Sequence, residues 1–352
     1  MKKVAIIGIR GLPAQYGAFD QFVDQLVNYS NKNNKSVKFY VSSEIKTNTK
    51  IDNVEQFYFF RGKGVFVIFN YFISIINFYL KGVRTFLFFG YGAAIFFPLL
   101  KIFNCKIICN VDGIEWRRNI SKLKSFYFKF SEFFVSKIKI NLIFDSLVIQ
   151  RYYAIKYNVV GNLIYYPSDF NDLIKNNLIN KKKIKPFLKA IIVMRFLPEN
   201  NIEIIVDAFN KLNLKNSNKY KLYIIGKEND YFKSKIIPNI IHNKNIIFVG
   251  PVYDRKKLFK LWSSADCYIH GHSVGGTNPT LIEAISLKLP IIAFNVMFNK
   301  KILGKNSSYF SNSDDLLKTI KNHRFLQKKT YLNSDLFKAE YINEKYLDLI
   351  KG

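Results

Sequence analysis

Apolar runs at residues 4–7, 37–41, 86–89, 107–111 and 141–144 alternate along the first half of the chain with stretches of helical periodicity. Short runs of this kind predict parallel strands buried on both faces of a sheet. The first of them, Val4-Ala5-Ile6-Ile7, stops at Gly8 and is followed by a loop over residues 9–17. Phe19, Phe22, Val23, Leu26 and Val27 come next, at the spacing of one helix face. Strand, glycine-bearing loop and amphipathic helix form a unit whose repetition predicts an α/β layer fold.

The pattern restarts after a polar stretch. Residues 171–186 are rich in Asn and Lys, with Lys181-Lys182-Lys183 and Pro186, which is linker composition. Strands are then predicted at 190–193, 220–225, 245–249 and 290–294, with a helix whose apolar face is Ile202, Ile205, Val206, Phe209 and Leu212. A chain of 352 residues exceeds what one core usually organises. The expected division is a Rossmann-like domain over 1–170, a linker over 171–188 and a second Rossmann-like domain over 189–335. A short amphipathic tract over 336–352 is expected as a helix able to pack back across the cleft. Open α/β sheets bind ligands at their strand ends, so the site belongs in that cleft.

Two stretches, residues 65–80 and 86–100, are long and nearly uncharged. Both fall short of the ~20 apolar residues that a spanning helix needs. Asn70, Asn77, Gly90, Gly92 and Pro98 interrupt them, which favours buried helix or strand and leaves the first open as a membrane-docking face.

Charge changes the picture more than composition does. Hydrophobic residues make up 49% of the chain, ample for two cores, while 54 Lys and Arg against 25 Asp and Glu give a formal charge of +29. Nucleic acid, an anionic membrane surface and simple compositional bias all account for such an excess. Zinc-finger spacing, an RNP-type aromatic strand and a basic heptad region are missing from the sequence, which sets nucleic acid aside. Residues 122–139 interleave Lys122, Lys124, Lys129, Lys137 and Lys139 with Phe126, Tyr127, Phe128, Phe130, Phe133 and Phe134. This is either a bilayer-facing helix or a buried helix with a basic solvent face; on the second view much of the aromatic set faces the core. Cys105, Cys109 and Cys267 are expected as buried thiols in a reducing compartment, and the run after Met1-Lys2-Lys3 is too short for a signal peptide.

The segment richest in chemistry is His270-Gly271-His272-Ser273-Val274-Gly275-Gly276-Thr277-Asn278-Pro279, followed on a helix by Glu283. Pro279 suits the first helical position and Asn278 the cap. The helix start then opens behind two glycines, so that Gly275, Gly276, Thr277 and Asn278 offer free N–H groups to an anion. Glu283, one turn in, is placed to accept hydrogen bonds from sugar hydroxyls.

This segment resembles the donor site of glycosyltransferase family 4, whose members have the GT-B fold of two Rossmann-like domains facing across a cleft. There a pair of glutamates flanks a glycine-containing loop. Glu283 matches the second, which contacts the nucleotide ribose in that family, and Gly275 stands in place of the first. The wording HGHSVGGTNP, with RGLPAQYGAFD near the start of the chain, resembles a narrower branch. Its members are bacterial rhamnosyltransferase-like enzymes of capsule, O-antigen and cell-wall polysaccharide synthesis.

The resemblance implies roles for further residues. Arg195 matches an arginine on the donor diphosphate, and Asn200 stands where many members carry a lysine. His272 is implied as a phosphate or sugar contact. Arg10, Gly11, Tyr16 and Gly17 lie in the first strand-to-helix loop, where glycine lets backbone approach a ligand closely. Asp112 orients an acceptor hydroxyl, and Glu115, Arg117 and Arg118 belong to the same NVDGLEW-like element, the arginines meeting acceptor phosphate. Asp145 and Tyr166 fall at branch positions associated with the active site, although Pro167 replaces an expected glycine.

The implied activity is retaining transfer of rhamnose from dTDP-rhamnose to a lipid-linked saccharide, peripherally at the inner face of the plasma membrane. Neither metal nor cofactor is expected; the nucleoside-diphosphate sugar is a substrate. A UDP-hexose or UDP-N-acetylhexosamine donor is the alternative within the class. Outside it stand a basic nucleic-acid-binding protein and a catalytically silent scaffold.

Overall fold

A computed structural model describes residues 1–14, 17–60, 65–117, 120–168, 170, 173–174, 187–215, 219–274, 278–304, 307–327 and 334–352. The chain forms two compact units, Met1–Pro167 with Ala339–Gly352, and Ser168–Lys338.

The first unit is built on a parallel seven-stranded sheet in the order β3-β2-β1-β4-β5-β6-β7. Its strands are β1 (Lys2–Ile7), β2 (Val37–Ser43), β3 (Val54–Tyr58), β4 (Thr85–Phe89), β5 (Lys106–Asn110), β6 (Asn141–Phe144) and β7 (Asn162–Leu163). The connecting helices are α1 (Ala18–Lys32), α2 (Val65–Leu80), α3 (Phe97–Ile102), α4 (Lys122–Lys137) and α5 (Leu147–Tyr157). Side chains alternate across β1 and β2, so Val4, Ile6, Phe39 and Val41 pack with Phe22, Val23 and Leu26 of α1 on one face. On the other face Tyr40 meets Phe78 of α2, and Phe88 of β4 meets Phe97 of α3.

The second unit repeats the plan with six parallel strands in the order β10-β9-β8-β11-β12-β13. These are β8 (Leu188–Val193), β9 (Tyr220–Ile225), β10 (Ile246–Gly250), β11 (Cys267–His270), β12 (Ile291–Phe294) and β13 (Ser308–Phe310). The helices are α6 (Ile202–Lys215), α7 (Ile237–Ile240), α8 (Arg255–Ser263), α9 (Pro279–Ser286), α10 (Met297–Leu303) and α11 (Ser313–Asn322). Ile202, Ile205, Val206, Phe209 and Leu212, the face read from spacing, are all buried against β8 and β9.

The last helix, α12 (Ala339–Lys351), returns to the first unit. Ile342, Tyr346, Leu347 and Ile350 join the core beside α1. Tyr29 donates to Glu344 at 2.7 Å, and Lys35 pairs with the same carboxylate.

Most of the expected linker, residues 171–172 and 175–186, lies outside the described residues. At its edges Phe170 is buried against Phe259 and Trp262, and Leu188 begins β8. Residues 65–80 are helix throughout, whereas 86–100 divides between β4 and the start of α3. Among the described residues no helix is long and apolar enough to cross a membrane. All three cysteines are buried and none is in a disulfide.

Candidate active site

In the second unit the loops after β8 and β11, neighbouring strands, are fastened together side by side. Asn200 is buried in the short turn Pro198–Asn200 that precedes α6. Its amide nitrogen donates to the Arg195 carbonyl at 2.6 Å, and its Oδ1 lies 2.5 Å from Nδ1 of His272. Asn201 Nδ2 donates to the Gly271 carbonyl at 2.8 Å, while the Ser273 amide and hydroxyl both donate to the Glu199 carbonyl, at 3.0 and 2.7 Å. A Cβ at position 271 would stand 2.1 Å from the Asn200 carbonyl oxygen, so only glycine allows this approach. Asn299 of α10 closes the other side, donating to the carbonyls of His272 and Phe294.

Helix α9 begins as its sequence predicts. Asn278 Oδ1 accepts from the Thr280 amide at 3.0 Å and from the Thr280 hydroxyl at 2.8 Å, with Pro279 at the first helical position. The Thr280 hydroxyl, having given its proton to Asn278, accepts from Tyr268 at 2.8 Å. Tyr268 in turn lies 2.9 Å from Nδ1 of His270 and accepts its proton. This leaves Nε2 of the buried His270 a bare acceptor with no hydrogen-bond partner. Burial holds the imidazole far below the usual histidine range, so the ring is neutral. Glu283 is half-buried on α9, and its charge adds to the burial that raises the Tyr268 phenol. Arg195 is exposed, and its guanidinium makes no hydrogen bond or ion pair among the described residues. Gly275, Gly276 and Thr277, the glycine loop of the sequence motif, lie outside the described residues.

In the first unit a second cluster gathers at the carboxyl ends of β5, β6 and β7. Asp112 follows β5 in left-handed backbone, with φ of 60°, and its amide donates to Asn110 Oδ1 at 3.0 Å. Asn110 Nδ2 donates to the hydroxyl of Tyr346, from α12, at 2.7 Å. Asp145 is buried at the end of β6, where Ser146 caps α5 by accepting from the Val148 amide. Tyr166 is buried, and its hydroxyl has no hydrogen-bond partner. Burial lifts its phenol well above the tyrosine range, and the charges of Asp112, Asp145 and Asp20 and the nearby Tyr346 add to the effect. Asp112, Asp145 and Tyr166, separate in sequence, are thus brought together. Tyr346 and Asn110 join them without any motif to announce it; these two and Tyr166 line one small crevice with Phe22, Tyr165 and Pro167.

The opening loop is packed closely on neighbouring side chains. The space that a Cβ at Gly11 would need is filled by Ser43, whose Oγ lies 2.3 Å from that point, and at Gly17 by Asp20 at 2.8 Å. These glycines leave room for the protein's own side chains. Gln56 clamps the same loop by accepting from the Leu12 amide and donating to its carbonyl, at 2.8 and 2.7 Å. The Arg10 amide donates to Asp20 at 2.9 Å, and burial raises that carboxyl despite the bond. Arg117 lies over the rings of Trp116 and Tyr152 at 5.1 and 5.3 Å, and the Glu115 amide donates to Tyr91. Tyr16 and Arg118 lie outside the described residues.

Comparison with known proteins follows the same division. Residues 172–323 match the family described as glycosyl transferases group 1, and residues 1–169 match a domain of unknown function, DUF1972. No curated protein matches the sequence. Among solved structures the chain resembles sucrose-phosphate synthase from Thermosynechococcus elongatus, with a TM-score of 0.77 at 14% identity, covering 100% of this chain and 98% of that one. It also resembles WaaG, a glycosyltransferase involved in lipopolysaccharide biosynthesis (TM-score 0.74, 11% identity, 99% and 100% covered). Anabaena HepE in complex with UDP is similar too (0.70, 12%, 100% of both chains). The chain therefore has the GT-B fold, and its second unit matches the group 1 glycosyl transferases over residues 172–323.

Proposed function

We propose that this protein is a retaining glycosyltransferase that moves rhamnose from dTDP-rhamnose to a lipid-linked saccharide in bacterial surface polysaccharide synthesis, at the inner face of the plasma membrane. One observation carries the reading: within the segment that matches group 1 glycosyl transferases, the Asn278-capped start of α9 and the Asn200–His272 clasp lie on adjoining loops. A capped helix start favours a diphosphate, and Arg195 supplies the positive charge. Glu283 accepts from the hydroxyls of the nucleotide ribose. HepE was solved with UDP bound, which supports a nucleoside diphosphate here. The rhamnose assignment rests on the HGHSVGGTNP wording, and a UDP-hexose is the alternative donor, as in the HepE complex with UDP-glucose.

The acceptor side falls to the first unit. Asp112 and Asp145 are the carboxylates assigned to orient an incoming hydroxyl, and Tyr166 holds a phenol near them. In retaining transfer the leaving diphosphate takes the acceptor proton on the face it departs from, so the protein's part is orientation and charge stabilisation.

The test is thermal stabilisation by dTDP-rhamnose, UDP-glucose and UDP-N-acetylglucosamine. One of them should raise the melting temperature of the wild type, since a ligand that binds only the folded state stabilises it. Glu283→Ala should keep the fold and lose most of that shift. Stabilisation by none of the three would reject the donor assignment.

A further inference from the structure

Helices α2, α3 and α4 share one face of the first sheet. The chain runs from β1 to β2 in one direction along the sheet and from β3 through β4 and β5 to β6 in the other. Right-handed crossovers therefore place α1 on the opposite face from α2, α3 and α4. The segment leading into α3 touches both neighbours: Phe96 meets Phe72 of α2 at 5.5 Å, Gly92 stands against Tyr71 of α2, and Tyr127 of α4 donates to the Gly92 carbonyl.

Two of these helices bury polar side chains while exposing large apolar ones. Helix α4 buries Ser131, Glu132, Val135 and Ser136. Glu132 is 0% exposed because its carboxylate accepts from Trp116 Nε1 at 2.7 Å, Tyr152 at 2.6 Å, Lys156 at 3.0 Å and Tyr157. With that polar hub facing inward, helical periodicity turns Leu123, Phe126, Phe130 and Phe133 outward; Leu123 is 76% and Phe126 69% exposed. Of the two readings of this helix, the one that turns the aromatics to the core fails for Phe126, Phe130 and Phe133, while Tyr127, Phe128 and Phe134 are half-buried. Helix α2 buries Ile75 and Phe78 but also two polar side chains. Asn70 and Ser74 point inward, to the Phe60 carbonyl and to Ser42, while Phe66, Phe69, Ile73, Ile76 and Leu80 form the outward stripe. Phe66 is 64% exposed, and α2 contains no charged residue. Ile102 of α3 is exposed between them.

Scattered exposed apolar residues need no explanation, but two adjacent apolar helix faces mark an interaction site. We infer that this face docks on an anionic lipid bilayer, with α2 in the interfacial layer and the phenylalanines of α4 inserted beside lysines held at the phosphate level. Charge selects the occupant: Lys122, Lys124, Lys129 and Lys137 are exposed on α4 in a chain of formal charge +29. A second copy related by a two-fold axis would bring lysine-rich faces against one another. The inference deepens the proposed use of a lipid-linked acceptor and rests on it only for its purpose, since docking itself needs neither donor nor acceptor.

The test is flotation of the full chain, without substrates, on phosphatidylglycerol-containing vesicles and on phosphatidylcholine vesicles. The wild type should float with the anionic vesicles. Phe126→Ser/Phe130→Ser/Phe133→Ser should lose at least about tenfold in partitioning with its melting temperature unchanged, and Phe66→Ser/Phe69→Ser should do likewise. Lys122→Gln/Lys124→Gln/Lys129→Gln should abolish the preference for anionic lipid. Failure of the wild type to float at low salt overturns the inference, as does flotation unaffected by the phenylalanine changes. A phenylalanine-dependent dimer without vesicle binding would assign the face to a second copy instead. Vesicle binding by a chain that no nucleotide sugar stabilises would sink the donor assignment and leave the docking face standing.

Discussion

Nδ1 of His272 lies 2.5 Å from Oδ1 of Asn200, whose amide nitrogen is already given to the Arg195 carbonyl. Oδ1 can only accept, so the imidazole donates from Nδ1. The position that resemblance assigns to a phosphate-binding lysine is thus occupied by a buried fastener between two loops. Asn200→Ala should cost about 1–3 kcal/mol, because it strands the Arg195 carbonyl and the His272 N–H, and should weaken nucleotide-sugar binding. Asn200→Lys should be worse, since it buries a charge without a counter-charge. Donor affinity at or above wild type in the lysine variant, measured by calorimetry, would refute the fastening role.

Tyr166→Phe separates a functional hydroxyl from a structural one. The hydroxyl is buried with no hydrogen-bond partner, so its removal should leave stability unchanged or raise it by about 1 kcal/mol. Transfer at saturating donor should nevertheless fall by at least about tenfold, equivalent to about 1.4 kcal/mol of transition-state stabilisation. A variant that transfers at the parental rate removes Tyr166 from the acceptor site.

Glu132→Ala removes the hub beneath α4 and leaves Trp116, Tyr152, Tyr157 and Lys156 without their shared acceptor. Breaking a buried charge network from one side costs about 3–5 kcal/mol. Glu132→Gln should cost less, because it still accepts. Urea unfolding that shows less than about 1 kcal/mol of loss in the alanine variant would contradict the claim that this carboxylate orients the helix.

This hub shows where legibility ends. The strand runs and the α6 face were readable because central parallel strands are buried on both sides and helix faces repeat. Of the strands absent from the sequence reading, β3, β7 and β13 are sheet edges, short or half-exposed, and carry no such run, while the central β11 is only four residues long and ends in His270. The capped start of α9 was visible because Asn278 and Pro279 act locally. The outward turn of α4 was not, because its cause is one glutamate and partners contributed by another helix and a distant turn. The same holds for Tyr346, which reaches Asn110 across 236 positions.

Stability should fall on mild acidification, with His270 a principal cause. The folded protein holds this ring below its ordinary value of 6.5, so the unfolded chain binds the proton first. Its contribution is present above pH 6.5 and is lost as pH falls below that, by up to about 1.4 kcal/mol per unit. His270→Asn should flatten the slope of unfolding free energy between about pH 6.5 and 5. An unchanged slope would mean the ring is protonated in the folded protein.

The central claim is that a sugar held by the second unit as its nucleoside diphosphate passes to a lipid-borne acceptor under the control of the first. It is tested most directly by incubating the purified chain with labelled dTDP-rhamnose, UDP-glucose or UDP-N-acetylglucosamine and a bacterial membrane-lipid extract. The measurement is label recovered in the lipid phase. The account predicts incorporation from one of these donors by the wild type, and incorporation reduced by at least about tenfold in Asp145→Asn. Folded wild-type protein that transfers label from none of them, or an Asp145→Asn variant as active as its parent, would contradict it.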